Sequence, residues 1–149
     1  MFEIELKNHD EMSIKVKDRV INVNVAQSVI DAGLVVGPIR GAGEFEIGEA
    51  AINGFVTSGG KVVYRIGIGD IFVGVVGEGV KPGDLDDFGP VDILGTSNID
   101  VVGATEPKIV IPMGNMDFAN LKASVKVEKK LKIKNETSLP TIMEIYRLD

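Results

Sequence analysis

The run Ile71-Phe72-Val73-Gly74-Val75-Val76 is apolar from end to end. Its length suits a strand, and its unbroken hydrophobicity predicts one buried on both faces. Just before it, Val62 to Ile66 leads into Gly67-Ile68-Gly69-Asp70, so the two runs read as a hairpin. Ala50 to Thr57 reads as the preceding strand, with Ser58-Gly59-Gly60 as the turn between. Phe45 and Ile47 begin a further alternating run after Gly41 and Gly43.

Toward the N-terminus, Ile4 and Leu6, then Ile14 and Val16, alternate with polar neighbours around the turn-like Asn8-His9-Asp10. This pattern predicts a first hairpin, followed by a strand over residues 20–25. Residues 26–40 allow two readings: a short helix from Ala26 to Ala32, or a short buried strand at Leu34-Val35-Val36. Toward the C-terminus, Lys81 to Gly89 is polar and turn-rich. Val91 to Leu94 and Lys108 to Ile111 read as short buried strands. Met116 to Ser124 is the best helix candidate, and Lys129 to Lys134 with Ile142 to Tyr146 reads as a closing hairpin.

The 149 residues suit one domain, 1–149, burying roughly 68–70% of the surface its unfolded chain would expose. With 44% hydrophobic and 26% charged residues, the composition is globular rather than disordered. The absence of cysteine excludes a disulfide framework, a thiolate metal site and a thiol nucleophile. A single histidine, His9, excludes any site needing two imidazoles from one chain. The net charge of −6 disfavours nucleic acid as a partner. Acidic residues break up Met1-Phe2-Glu3-Ile4-Glu5-Leu6-Lys7, unlike a signal peptide, and no apolar stretch approaches the roughly 18 residues of a membrane span. The expectation is a cytoplasmic protein that engages neither membrane nor nucleic acid.

Gly41-Ala42-Gly43-Glu44-Phe45-Glu46-Ile47-Gly48 resembles the G-P-G-E-Y-E-V-G segment of the metallo-β-lactamase-fold hydrolases, in the subgroup of ascorbate-6-phosphate lactonase-like proteins. Further pieces follow in the family's order. Val75-Val76-Gly77-Glu78-Gly79 stands at its H-L-G-D-L-G motif, and Gly89-Pro90-Val91-Asp92-Ile93-Leu94 resembles its G-D-V-D-V-L-L strand. Glu106-Pro107-Lys108-Ile109-Val110-Ile111-Pro112-Met113 is similar to N-P-K-I-V-I-P-M. The resemblance implies a trimmed, β-rich α/β sandwich of two mixed sheets with few, short outer helices. The helix before the P-K-I-V-I-P-M strand is cut down to Ser97–Thr105.

The family's chemistry rests on one or two metal ions held by histidines and a carboxylate. Here the H-x-H-x-D-H loop is missing: residues 24–40 contain no histidine. Val75 and Glu78 stand where the H-L-G-D motif has its histidine and aspartate, and Gly114 stands where the last ligand histidine belongs. His9 matches a position that is not a ligand. Zinc or manganese catalysis needs imidazoles plus a carboxylate and an open position for water. The resemblance therefore implies a scaffold that has lost its metal, with no cofactor and no catalytic residues. Its vestigial cleft is expected at Glu78, Asp84, Thr96, Asn98, Gly114 and Asn115.

Other constellations read as structural. Gly41-Ala42-Gly43 leads into an alternating strand rather than a helix, so it is a turn and not a phosphate loop. Asp84-Leu85-Asp86-Asp87-Phe88 lacks the ligand pattern of a calcium loop. His9 has Asp10 beside it but no nucleophile. The lysines at 122, 126, 129, 130, 132 and 134 read as the wet face of a strand and as guards of a sheet edge.

Three functions follow. The first is a non-catalytic module that self-associates, most simply as a homodimer, or binds another protein through faces that lost helices would leave bare. The second is a hydrolase with a rebuilt carboxylate site from Glu78, Asp84 and Asp92, helped by Asn98 or Asn115. The third is a small-molecule binder lined by the loops 77–83, 96–100 and 113–116.

Overall fold

The computed structural model describes residues 1–149. Two sheets face each other. The first is a meander of β1 (Phe2–Asn8), β2 (Glu11–Val16), β3 (Arg19–Asn24), β4 (Val29–Asp31) and β5 (Ile39–Arg40), antiparallel throughout. The second begins with the antiparallel strands β6 (Gly43–Ile47), β7 (Ala50–Val56), β8 (Val62–Ile68) and β9 (Ile71–Val76). It continues in parallel through β10 (Ile93–Thr96) and β11 (Ile109–Pro112). β12 (Ser124–Glu128), β13 (Leu131–Ile133) and β14 (Glu144–Leu148) finish the chain. The sheet orders are β13-β1-β2-β3-β4-β5 and β12-β14-β11-β10-β9-β8-β7-β6, so parallel pairing is confined to the eight-stranded sheet. No helix is long and apolar enough to cross a membrane.

Period-two alternation builds the core. Ile4, Met12, Ile14, Ile21 and Val23 from the first sheet meet Ile52, Ile66, Val73, Ile93 and Ile111 from the second, all essentially inaccessible. At β10 the sheets come so close that a Cβ on Gly95 would lie 2.2 Å from Cε of Met12. The Gly69-Asp70 turn joins β8 to β9, and Gly69 takes the left-handed φ of 60° that a tight hairpin favours.

The second sheet also buries its outer face, as the apolar run at 71–76 requires. Val63, Val76, Leu94, Val110 and Ile145 are capped by Val80, Leu85, Phe88, Val91, Val101 and Val102. Irregular chain does most of this work. The helical pieces are a 3-10 turn at Pro82–Leu85 and another at Ile99–Val101 that runs into the single-turn α1 (Val102–Thr105). The expectation of apolar faces laid bare by missing helices is thus corrected, because loops cover the second sheet across β9–β11. The outer face of the first sheet carries Glu3, Glu5, Lys15 and Asn22.

Three local expectations are also corrected. Residues 26–40 form neither the helix Ala26–Ala32 nor a strand at Leu34–Val36. Ser28, Gly33 and Gly37 adopt left-handed φ, which breaks both patterns, and Val35 and Val36 stand in solvent at 106% and 90% exposure. Met116 to Ser124 is not a helix. Asp117 accepts the Ala119 N–H at 3.0 Å and bends the chain, while Met116, Phe118 and Leu121 pack on the outer layer as loop residues. Residues 129–134 and 142–146 do not form a hairpin. Leu131 and Ile133 pair with Ile4 and Phe2 in the first sheet, whereas β14 lies parallel between β11 and β12 in the second. A 3-10 turn at Glu136–Ser138, capped by Asn135, lies between them.

Candidate binding cleft

Parallel strands in register bring their carboxyl ends together. β9, β10 and β11 end level at Val76, Thr96 and Pro112, so the loops that follow them emerge side by side. The β1–β2 turn rises opposite them from the other sheet, where the Asp10 carbonyl accepts the Val25 N–H at 2.8 Å. Between these segments lies a cleft of about 330 Å³. Its polar rim comprises His9, Asp10, Lys61, Glu78, Ser97 and Asn115, with Val25, Ala26 and Gly114 completing the wall. His9 and Gly114 also border a neighbouring, more apolar cleft of about 410 Å³ that includes Leu6, Pro112, Met116 and Phe118. A roomier groove, about 600 Å³ beside Asp18, Arg19 and Asn22, lies on the first sheet, and none of the residues expected for the cleft lines it.

Glu78, Gly114 and Asn115 line the cleft, and all three are exposed. Thr96 and Asn98 are committed to internal bonds. The buried Thr96 hydroxyl donates to the Val76 carbonyl at 2.7 Å and accepts the Asn98 N–H at 2.9 Å. The Asn98 amide donates to the Val80 carbonyl at 2.7 Å and its oxygen caps Asp100. These bonds fix the rim without offering groups to a ligand. Asp84 serves a turn: its carboxylate accepts the N–H of Lys81 at 3.0 Å and of Ser58 at 3.1 Å. The Lys81 bond and then the Ser58 bonds hold its pKa below the usual value.

Asp92 is at the wrong end of β10. It precedes the strand and accepts the Phe72 N–H at 2.8 Å, whereas the cleft opens after Thr96. Four residues of strand put about 13 Å between the two ends. The carboxylate trio Glu78, Asp84 and Asp92 is therefore not assembled, which corrects the expectation that all three sit at the strand ends facing the cleft. Lys61 and the His9-Asp10 turn, in contrast, were not among the residues expected there. Lys61 arrives because Thr57 closes the preceding turn on the Lys61 carbonyl with both its N–H and its hydroxyl.

The donor set does not suit a transition metal. The cleft offers one imidazole, and no group of three or more His, Asp or Glu side chains is arranged to hold a metal ion. Gly114 marks the gap: a Cβ built there would lie 3.7 Å from Cβ of Ser97 and 3.8 Å from the His9 carbonyl oxygen, facing both sides of the cleft. Its left-handed φ of 59° favours glycine.

No protein-family model and no curated protein matches this sequence. Among solved structures, the chain is similar to a Thermotoga maritima protein described as a candidate Zn-dependent hydrolase of the metallo-β-lactamase superfamily. The TM-score is 0.73 at 18% identity, covering 99% of each chain. At that identity the likeness speaks for the fold, and it agrees with the strand order and the thin helical cover. The chain has a trimmed, β-rich metallo-β-lactamase-like α/β fold.

Proposed function

We propose that this protein is a non-catalytic, metal-free derivative of the metallo-β-lactamase-fold hydrolases, from the ascorbate-6-phosphate lactonase-like branch, that works by self-association or by binding another protein. One observation carries the reading: where the fold family gathers its imidazoles, this cleft has a single histidine and a glycine without a side chain at position 114. Fold does not bring function with it when the reacting groups are absent. The test is metal content by mass spectrometry, on protein purified without chelator or immobilised nickel, together with the mass in solution. Substoichiometric metal and an assembly above one chain are expected. One tightly held metal per chain overturns the reading.

The cleft itself favours a second use. Lys61, Ser97 and Asn115 are free of side-chain bonds and could hold a small anion or neutral polar ligand without chemistry. Such a ligand raises the melting temperature progressively with the logarithm of its concentration above Kd, and a melting temperature indifferent to a panel of small polar compounds counts against this use.

A further inference from the structure

We infer that the module's partner is a second copy of this chain, joined antiparallel along the free edge of β12 about a two-fold axis at Val127. This deepens the self-association reading and rests on it. The two eight-stranded sheets would join into one continuous sheet.

Three observations converge on this edge. First, β12 is exposed along its whole length, with Val125 and Val127 at 48% and 55% exposure on the face they share with the buried Ile145. Second, its backbone is oriented for pairing. The Glu128 carbonyl accepts the Asp149 N–H at 3.0 Å, so Glu128, Lys126 and Ser124 turn their backbone groups toward β14. By strand alternation, Val125 and Val127 turn theirs outward, unpaired. A two-fold axis at Val127 makes Val127 and its counterpart a hydrogen-bonded pair.

Third, the charges match in that register. Lys126 falls opposite Glu128 of the second copy, and the axis repeats the pair. Val125 falls opposite the stem of Lys129. The other edges of the two sheets fail the same test. On β6, self-pairing about Phe45 sets Glu44 against Glu46; on β13, pairing about Lys132 sets lysine on lysine. β5 has only two residues. Opposite charges across a strand pair attract and like charges repel. Lys126 already bonds Glu144 at 2.8 Å, so in the dimer it would lie between two carboxylates.

A strand-edge interface is small and thus concentration-dependent. Sedimentation equilibrium of the full chain across a concentration series tests it. The wild type is expected to form dimers. Glu128→Lys sets lysine against lysine twice and is expected to weaken dimerisation by about tenfold or more. Lys126→Glu sets glutamate against glutamate with the same result. An equimolar mixture of the two variants restores opposite charges and is expected to recover association as a heterodimer. Val127→Pro removes the outward N–H, a change edge strands tolerate, and is expected to abolish dimers while circular dichroism stays native. A dimer indifferent to Glu128→Lys and Val127→Pro overturns the inference but leaves self-association standing. A wild type that remains monomeric throughout overturns the inference and leaves only a different protein as partner.

Discussion

Phe88 is the anchor of the cover over the second sheet, and replacing it with alanine measures that cover. Its ring is 1% exposed and meets Phe55 edge-on, with centroids 5.5 Å apart and planes at 68°. It rests on Gly74, where a Cβ would come within 3.1 Å of the ring. Removing a buried phenyl group costs about 3–5 kcal/mol, of which the aromatic pair contributes about 0.5–1.5. A domain of this size loses about 2–4 °C of melting temperature per kcal/mol, so the expected fall is about 6–20 °C. Thermal melts and urea midpoints read it. Amide exchange should also rise through residues 80–91, since the loop's other anchors are Val80, Leu85 and Val91. Gly74→Ala alone crowds the ring and should cost about 1–3 kcal/mol. Combined with Phe88→Ala, its methyl partly fills the vacated space, so the double variant should lose less than the sum. A fall below about 2 °C for Phe88→Ala would refute the reasoning, because it would mean that the loop is not holding the outer layer.

Thr96→Val leaves the Val76 carbonyl and Asn98 N–H without their partner and should cost about 1–3 kcal/mol, read by urea denaturation. Tyr64→Phe should also cost about 1–3 kcal/mol, since the hydroxyl donates to the Ser28 carbonyl at 2.8 Å. Burial raises the Tyr64 pKa above 10.0, so the native state keeps a proton that the unfolded state sheds first. Stability should therefore fall as pH climbs past the ordinary tyrosine value, and this fall should shrink in Tyr64→Phe; an unchanged alkaline limb contradicts it. The lowered pKa of Asp84 has the opposite sense. Its contribution is full above the usual value of 3.8 and is lost as pH falls through the lowered one. The melting-temperature gap between wild type and Asp84→Ala should accordingly close in acid, and a gap that persists there refutes the role given to its carboxylate.

The strands of residues 2–25 and 43–76 are legible because each hairpin pairs neighbours in sequence, and alternation alone fixes which side chains face inward. Residues 131–133 and 144–148 alternate equally well. Their partners are Phe2 and Ile4 for one and Val110 for the other, distances in sequence that no local pattern encodes. Met116, Phe118 and Leu121 look like a helix face because they are apolar, but the Asp117 side chain competes for the backbone and wins. In the cleft, motif order brings Glu78, Gly114 and Asn115 to the rim, since each follows a parallel strand. Thr96 and Asn98 share that location, and only their bonds show that they are occupied. Lys61 enters from the turn that precedes an antiparallel strand, without a signal of its own.

The stitching by residues 131–148 has a consequence for synthesis. The first five strands pair with one another in sequence order, and those pairings can form while the rest of the chain is being made. β14, in contrast, lies inside the second sheet and β13 closes one side of the first, so neither sheet is finished until its strand from residues 131–148 has left the ribosome. Until then β11 presents a bare parallel edge of Ile109, Val110 and Ile111 to the crowded cell. The nascent protein is most open to mispairing in that interval, and chaperone demand should peak there.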